Sequence, residues 1–286
     1  MLPPKAIGRY EIERELARGG MGVVYLARDP LMKRQVAVKL LKGSMTDDPE
    51  VRERFKKEAE AVAALEHPAI VPIYDFGEHE EQLYFVMRYL AGGTLAELIH
   101  DGRLSLRELM PVLERMAEAL DGAHGTGLVH RDVKPANILF DREANAYLSD
   151  FGVAKVNEAG VDATGTLLIG TPRYMSPEQA QGLPVDPRSD VYSLGVVAYH
   201  ALSGMPPFTG NTPMALAFAH VTKPVPPIHE KVELPPVSND IFQRVLAKLP
   251  EERYADCAAM HMEKESLSGK MTFRRVGGKV LCRKDM

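Results

Sequence analysis

Within eight residues, His130-Arg-Asp-Val-Lys-Pro-Ala-Asn137 gathers a histidine, an arginine, an aspartate, a lysine and an asparagine. Asp132 could accept a proton from an attacking hydroxyl, and Asn137 could offer a hard oxygen to Mg²⁺. Polar loops are common on surfaces, but this one is framed by apolar Leu128-Val129 and Ile138-Leu139-Phe140, so core anchors it on both sides. Ser149-Asp150-Phe151-Gly152 presents a second carboxylate beside a glycine, although an Asp-Phe-Gly triplet alone is more often a turn than a metal site. Lys39 closes the run Val36-Ala-Val-Lys39. A lone strand-end lysine is usually a solvated edge residue, yet Glu58 on the following helical stretch could pair with it and hold its ammonium toward an anion. In Leu16-Ala-Arg-Gly-Gly-Met-Gly-Val-Val-Tyr25, glycines 19, 20 and 22 let backbone approach a ligand closely, and their N–H groups could cradle phosphates. Glycine-rich hairpin turns without any ligand are also common.

The elements that must position these groups change character along the chain. Residues 1–8 read as an untethered lead-in. From Tyr10 to Lys42 apolar and polar residues alternate around Val23–Leu26 and Gln35–Val38, a strand pattern. Between Asp47 and Leu65, Phe55, Ala59, Val62 and Leu65 form a helical stripe behind Asp48-Pro49-Glu50. Strand-like runs return at Ile70–Phe76 and Leu83–Leu90, and helices are predicted from Thr94 to Ile99, Ser105 to Gly122 and Ser189 to Ser203. Residues 157–181 read as an extended loop, and the prolines at 206–207, 224, 226–227 and 235–236 divide the last third into short pieces. A strand-rich first third before a helix-rich remainder predicts an α+β fold of two lobes.

Bulk properties exclude several classes. The 286 residues carry a net charge of −4, which excludes a generally basic nucleic-acid binder. Two cysteines cannot build a disulfide framework and favour a reducing compartment. The longest nearly apolar run, Leu194–Leu202, is too short for a membrane span, and the N-terminus lacks a signal-peptide pattern, so a soluble, cytoplasmic chain is expected. Residues 268–286 hold six basic groups and one acid, a charge of +5 that leaves −9 on the body. This segment reads most simply as a solvated, disordered tail, with an anionic partner as the alternative.

In order, the Gly-rich turn, Val-Ala-Val-Lys39, Glu58, His-Arg-Asp132, Asn137, Asp-Phe-Gly152 and Ser-Pro-Glu178 resemble the protein kinase signature set. The wording around His67-Pro68, Leu95, Lys134, Ser176-Pro-Glu-Gln-Ala180 and Tyr192-Ser-Leu-Gly195 is similar to bacterial Hanks-type (eukaryotic-like) serine/threonine kinases. The resemblance implies a bilobal kinase domain over 9–266. Its N-lobe, an antiparallel sheet with one main helix, would span about 9–87, the hinge 88–91, and the mostly helical C-lobe about 92–266, before a basic tail at 267–286.

It further implies an ATP-dependent transfer to Ser/Thr hydroxyls of proteins, with Mg²⁺ or Mn²⁺. Lys39, paired with Glu58, would contact the α- and β-phosphates, and Asp150 and Asn137 would hold the metals. Asp132 would take the hydroxyl proton, and Lys134 would steady the γ-phosphate. Leu16, Ala17, Gly19, Gly20 and Gly22 would cover the nucleotide. Val24, Ala37 and Leu139 would sandwich the adenine, with Met87 behind it and the Arg88, Tyr89 and Leu90 backbone along its edge. Val62, Ile73, His130 and Phe151 match an apolar spine between lobes. Glu178 would pair with Arg253, and Asp190 would brace the catalytic loop. Arg131 beside Asp132 implies control by activation-loop phosphorylation, with Thr164 and Thr166, then Thr171, as acceptors. Homodimers are a tendency of the family; no nucleic acid is expected. Ala17 departs from the family's first loop glycine and would add bulk near the ribose. A nucleotide-binding pseudokinase scaffold and a small-molecule phosphotransferase are the competing readings.

Overall fold

The computed structural model describes residues 4–20, 22–42, 53, 57, 59–151, 172–235 and 237–260, and the backbone of 271–276 and 279–284. Six strands, β1 (Ala6–Ile7), β2 (Tyr10–Arg18), β3 (Gly22–Asp29), β4 (Arg34–Leu41), β5 (Ile73–His79) and β6 (Gln82–Arg88), form one antiparallel sheet in the order β1-β2-β3-β4-β6-β5. Helix α1 is described at 53, 57 and 59–63.

Strand periodicity sorts the side chains of this sheet. Val23 and Tyr25 of β3, Val36 and Val38 of β4, and Tyr84 and Val86 of β6 join one apolar cluster. Their neighbours Val24, Ala37 and Met87 join another with Val71. Successive residues of a strand face opposite ways, so Lys39 follows Ala37 to its side of the sheet.

The lower lobe is helical: α2 (Leu95–Asp101), α3 (Leu106–His124), α4 (Pro177–Ala180), α5 (Pro187–Ser203), α6 (Pro213–Thr222) and α7 (Val237–Val245). Reciprocal capping boxes start α2 (Thr94 with Glu97) and α3 (Ser105 with Glu108). Helix α5 is buried nearly all round and forms the lobe's centre. A short hairpin, β7 (Ile138–Phe140) with β8 (Ala146–Leu148), lies beneath the upper sheet and pairs Leu139 with Tyr147.

Four expectations need correction. The end of the lead-in is tied down: Ile7 is buried, Ala6-Ile7 pairs with Tyr10-Glu11, and Lys5 O accepts from Ile12 N at 3.0 Å. Gly8, at φ +55°, supplies the left-handed residue of that tight turn. The end of the expected loop at 157–181 is helical, because Ser176 and Gln179 cap each other and start α4. Helix α5 begins at Pro187, ahead of Ser189, with the Asp186 side chain accepting from Arg188 N at 2.8 Å. The basic tail contains an antiparallel pair, β9 (Met271–Val276) and β10 (Lys279–Lys284), in place of a disordered segment. Gly277-Gly278 between them in sequence is a two-residue hairpin signal.

A buried ion pair holds α4 to the end of the lobe. Arg253 donates through Nη1 and Nη2 to Glu178 Oε1 and Oε2 at 2.8 and 2.7 Å, and Ser189 Oγ also donates to Glu178. Burial opposes the Glu178 charge, but these bonds and the Arg253 cation outweigh it, so the carboxyl titrates below its usual range. Glu178→Ala leaves Arg253 buried and unpaired. Urea denaturation at pH 7 is expected to show a loss of about 3–5 kcal/mol. A depressed carboxyl stabilises above its unfolded pKa and ceases to as pH falls through its folded value. The gap between wild type and variant is therefore expected to close on acidification below about pH 4.

Candidate active site

The loop between α3 and β7 is held from beneath by one carboxylate. Asp190, fully buried near the start of α5, accepts from His130 N (2.7 Å), Arg131 N (2.9 Å) and His124 Nε2 (2.8 Å). Arg131 adopts φ +64°, a left-handed conformation for a residue with a Cβ, and Gln179 Nε2 donates to its carbonyl at 2.8 Å. Both peptide groups of that turn are thus fixed. Asp132 N donates to His130 Nδ1 at 3.2 Å, so the proton sits on Nε2, which donates to Ser149 O at 3.0 Å. Burial lowers the His130 pKa despite Asp190 and the Ser149 carbonyl, in keeping with the neutral ring this pattern requires.

Two expected catalytic groups, Asp132 and Lys134, and one expected metal ligand, Asn137, meet here. Lys134 Nζ donates to Asp132 Oδ2 at 2.7 Å. Asn137 Nδ2 donates to Asp132 O (2.9 Å) and Oδ2 (3.2 Å), which directs the asparagine's amide oxygen elsewhere. Ser149 bonds Asn137 O through both its N–H (2.9 Å) and its hydroxyl (3.0 Å), joining this loop to the segment that carries Asp150. Asp150, at φ +58°, forms an ion pair with Lys39 of the upper lobe at 2.8 Å. The next residue, Phe151, is buried with its ring 4.6 Å from that of His130, in the cluster that holds Val62 and against which Ile73 packs. Of the expected spine, His130 and Phe151 are thus in ring contact.

Above these groups lies an apolar cleft. Ala37, Val71 and Met87 form its buried back, with Leu16, Val24, Leu90, Leu139 and Tyr147 packed against them. Gly22 opens β3 so close to β4 that a Cβ would stand 2.1 Å from Leu40 O, and Gly19 N donates to Gly22 O at 2.9 Å. Ala17 lies in β2 opposite Val24, exposed and outside the positive-φ residues, so its methyl asks nothing special of the backbone. Gly20 belongs to the turn between β2 and β3. Arg88 ends β6, and Tyr89 and Leu90 follow in irregular backbone. The apolar slot suits a flat aromatic base, and a lysine, two hard oxygen donors and close backbone suit its phosphates and a divalent cation. These residues therefore fit ATP with Mg²⁺.

Glu58, Thr164, Thr166 and Thr171 lie outside the described residues. The sequence reading passed over Val71 and Tyr147 in the cleft, and over His124 and Gln179 around the loop. Tyr147 could have been found from the Ile-Leu-Phe and Ala-Tyr-Leu triplets flanking a short polar turn, which place it opposite Leu139.

Residues 10–264 match the protein kinase domain family. The chain belongs to that family. It is 43% identical to the serine/threonine-protein kinase PknB of Mycolicibacterium smegmatis, covering 91% of this chain and 43% of that protein. It is 44% identical to PknA of Mycobacterium tuberculosis, covering 86% of this chain and 58% of that one. The crystal structure of the Mycobacterium tuberculosis PknI kinase domain aligns with a TM-score of 0.75 at 30% identity, over 92% of this chain and 97% of the other. The resemblance to bacterial Hanks-type kinases and the two-lobed fold are borne out. The chain spans less than half the length of the PknB relative.

In this protein kinase domain the Asp190 carboxylate sets the geometry of the loop that carries Asp132. An amide in its place would keep one acceptor oxygen and turn its NH₂ group toward the other loop N–H. For Asp190→Asn, kcat is expected to fall on the order of 10²-fold while ATP affinity, read by calorimetry, stays within a few-fold.

Proposed function

We propose that this chain transfers the γ-phosphoryl group of ATP to serine and threonine hydroxyls of proteins. The observation that carries this reading is the single bonded set Asp132–Lys134–Asn137 at the foot of an apolar cleft, beside the Lys39–Asp150 pair. The names of the relatives, serine/threonine-protein kinases, support the choice of hydroxyl.

Catalysis here is mainly positioning and charge neutralisation. Val24, Ala37 and Leu139 would enclose the base, with Met87 behind and the backbone of Arg88, Tyr89 and Leu90 at its edge. Leu16, Ala17 and glycines 19, 20 and 22 would cover the sugar and phosphates, and Lys39, paired with Glu58, would hold the α- and β-phosphates. Asp150 and the amide oxygen of Asn137 would ligate Mg²⁺, or Mn²⁺, which supplies neutralisation of phosphate charge when bound. Asp132 would align the acceptor hydroxyl and receive its proton as the new O–P bond forms and the bond from the γ-phosphorus to the ADP oxygen breaks. Lys134 would neutralise charge on the transferring group. Lys134 is then shared between Asp132 and the phosphoryl oxygens, so the 2.7 Å contact orients both.

No helix among the described residues is long and apolar enough to cross a membrane. The use of ATP and the cysteine content support action in the cytoplasm. Activation would follow phosphorylation of Thr164, Thr166 or Thr171, a charge of about −2 that Arg131 can pair with.

Labelled ATP with Mg²⁺ and a generic protein such as myelin basic protein tests the transfer. Wild type is expected to label protein and not small hydroxyl compounds, and Asp132→Asn to lose on the order of 10²–10⁴ in rate with ATP affinity retained. ATP binding without transfer by wild type would favour the scaffold reading instead. Phosphopeptide mapping of active enzyme should find phosphate on Thr164 or Thr166. An unmodified 161–171 stretch in fully active enzyme would refute the activation scheme.

A further inference from the structure

The hinge makes a contact that none of these roles uses. Arg88 closes β6, and its guanidinium carbon stands 5.1 Å from the centroid of the Tyr147 ring while Nη1 donates to Tyr147 Oη at 3.3 Å. Arg115 of α3 stands 5.2 Å from the same centroid. Arg115 is itself fixed, with Nε donating to Ala146 O at 2.8 Å and Nη2 to Pro68 O at 2.9 Å. Tyr147 Oη donates in turn to Asp141 Oδ2 at 3.1 Å. Asp141 is buried and also accepts from Glu143 N and Asn145 N at 3.0 and 2.8 Å. One phenol ring thus joins a hinge side chain to a helix and a rigid turn of the lower lobe.

The same ring borders the cleft. Leu139 and Tyr147 are directly opposite on the β7–β8 pair, so their side chains share a face. Both pack against Ala37, Val71 and Met87. The group that holds Arg88 therefore stands beside the floor on which the base would lie.

We propose that Tyr147 is a positioning residue for the nucleotide base, acting through Arg88. Holding the Arg88 side chain fixes the backbone of 88–90 at a set height above Leu139. The donors and acceptors of that backbone can read the edge of a purine only at a fixed distance from the floor. Adenine presents an amino donor where guanine presents a carbonyl acceptor, so a loosened hinge loses selectivity as well as affinity. The inference rests on the reading of the cleft as the ATP site.

Calorimetric titration of Mg-ATP and Mg-GTP into wild type, Tyr147→Phe, Tyr147→Leu and Arg88→Leu tests it, with melting curves as a check on folding. Tyr147→Leu and Arg88→Leu remove the ring–guanidinium contact from either side. Each is expected to weaken ATP binding roughly three- to ten-fold and to narrow the preference for ATP over GTP. Tyr147→Phe keeps the ring under both guanidiniums and is expected to recover most of the loss, to within about two-fold of wild type. Unchanged ATP affinity in both leucine variants overturns the proposal. Equal losses for ATP and GTP also overturn it, because they mean a structural role alone. These titrations do not read transfer, so a chain that binds ATP and phosphorylates nothing defeats the proposed function and leaves the hinge test intact. A wild type that binds neither nucleotide overturns both.

Discussion

A buried carboxylate must find hydrogen-bond donors, and Asp190 finds them in the loop that carries Asp132. Its oxygens take the N–H groups of His130 and Arg131 and one ring nitrogen of His124. Two successive N–H groups can converge on one carboxylate only if the chain turns sharply there, and Arg131 makes the turn at φ +64°. That conformation costs about 1–3 kcal/mol. Charge-assisted bonds of about 1.5–3 kcal/mol each exceed it, so the turn is set by the aspartate and not by Arg131 itself. The loop thereby takes its position from α5, the most enclosed helix of the lower lobe, and Asp132 inherits that rigidity.

The upper lobe reaches the same site by simple periodicity. A strand between two apolar layers must send alternate residues each way. In β4 this gives Val36 and Val38 to the outer layer and Ala37, then Lys39, to the cleft. A lysine on the cleft side of a buried sheet needs an anion, and among the described residues Asp150 meets it. The two lobes are consequently joined at the proposed active site by the Lys39–Asp150 pair and at residue 88 by Arg88 on Tyr147. Both contacts are short in space and distant in sequence.

How much of this was legible in the sequence follows the range of the interactions. The helical stripe at Phe55, Ala59, Val62 and Leu65, the helix from Ser105 and the strand runs of β3 and β4 are local patterns, and they were readable. The Glu178–Arg253 pair and the role of Asp190 came from family resemblance, because no local pattern joins residues 75 or 60 positions apart. Misses occurred where a local signal was outvoted by composition. Ser176 and Gln179 form a reciprocal cap, but the Gly, Thr and Pro around them argued for loop. The lead-in looked untethered because two residues, Ala6 and Ile7, carry too little pattern to announce a strand. Glu80 and Glu81, both at positive φ, turn the β5–β6 hairpin with residues that give no turn signal, so only pairing across the sheet reveals it.

Glu178 and Asp190, two of the buried carboxylates of the lower lobe, show why the site needs one kind and the scaffold the other. Glu178 is matched by the full charge of Arg253, so the pair is neutral overall and its field falls off quickly. Asp190 is matched by two peptide dipoles and a histidine ring, and an Arg in that place would have competed for the carboxylate oxygens that the loop requires. The same logic extends one shell outward. His130 lies against Asp190, yet burial keeps its ring neutral, and a neutral ring can accept from Asp132 N while donating to Ser149 O. A charged ring would have two donors and no acceptor, and the Asp132 peptide would lose its partner. Burial of His130 is thus a condition for the geometry of Asp132, and the apolar packing of Phe151 on that ring supplies it.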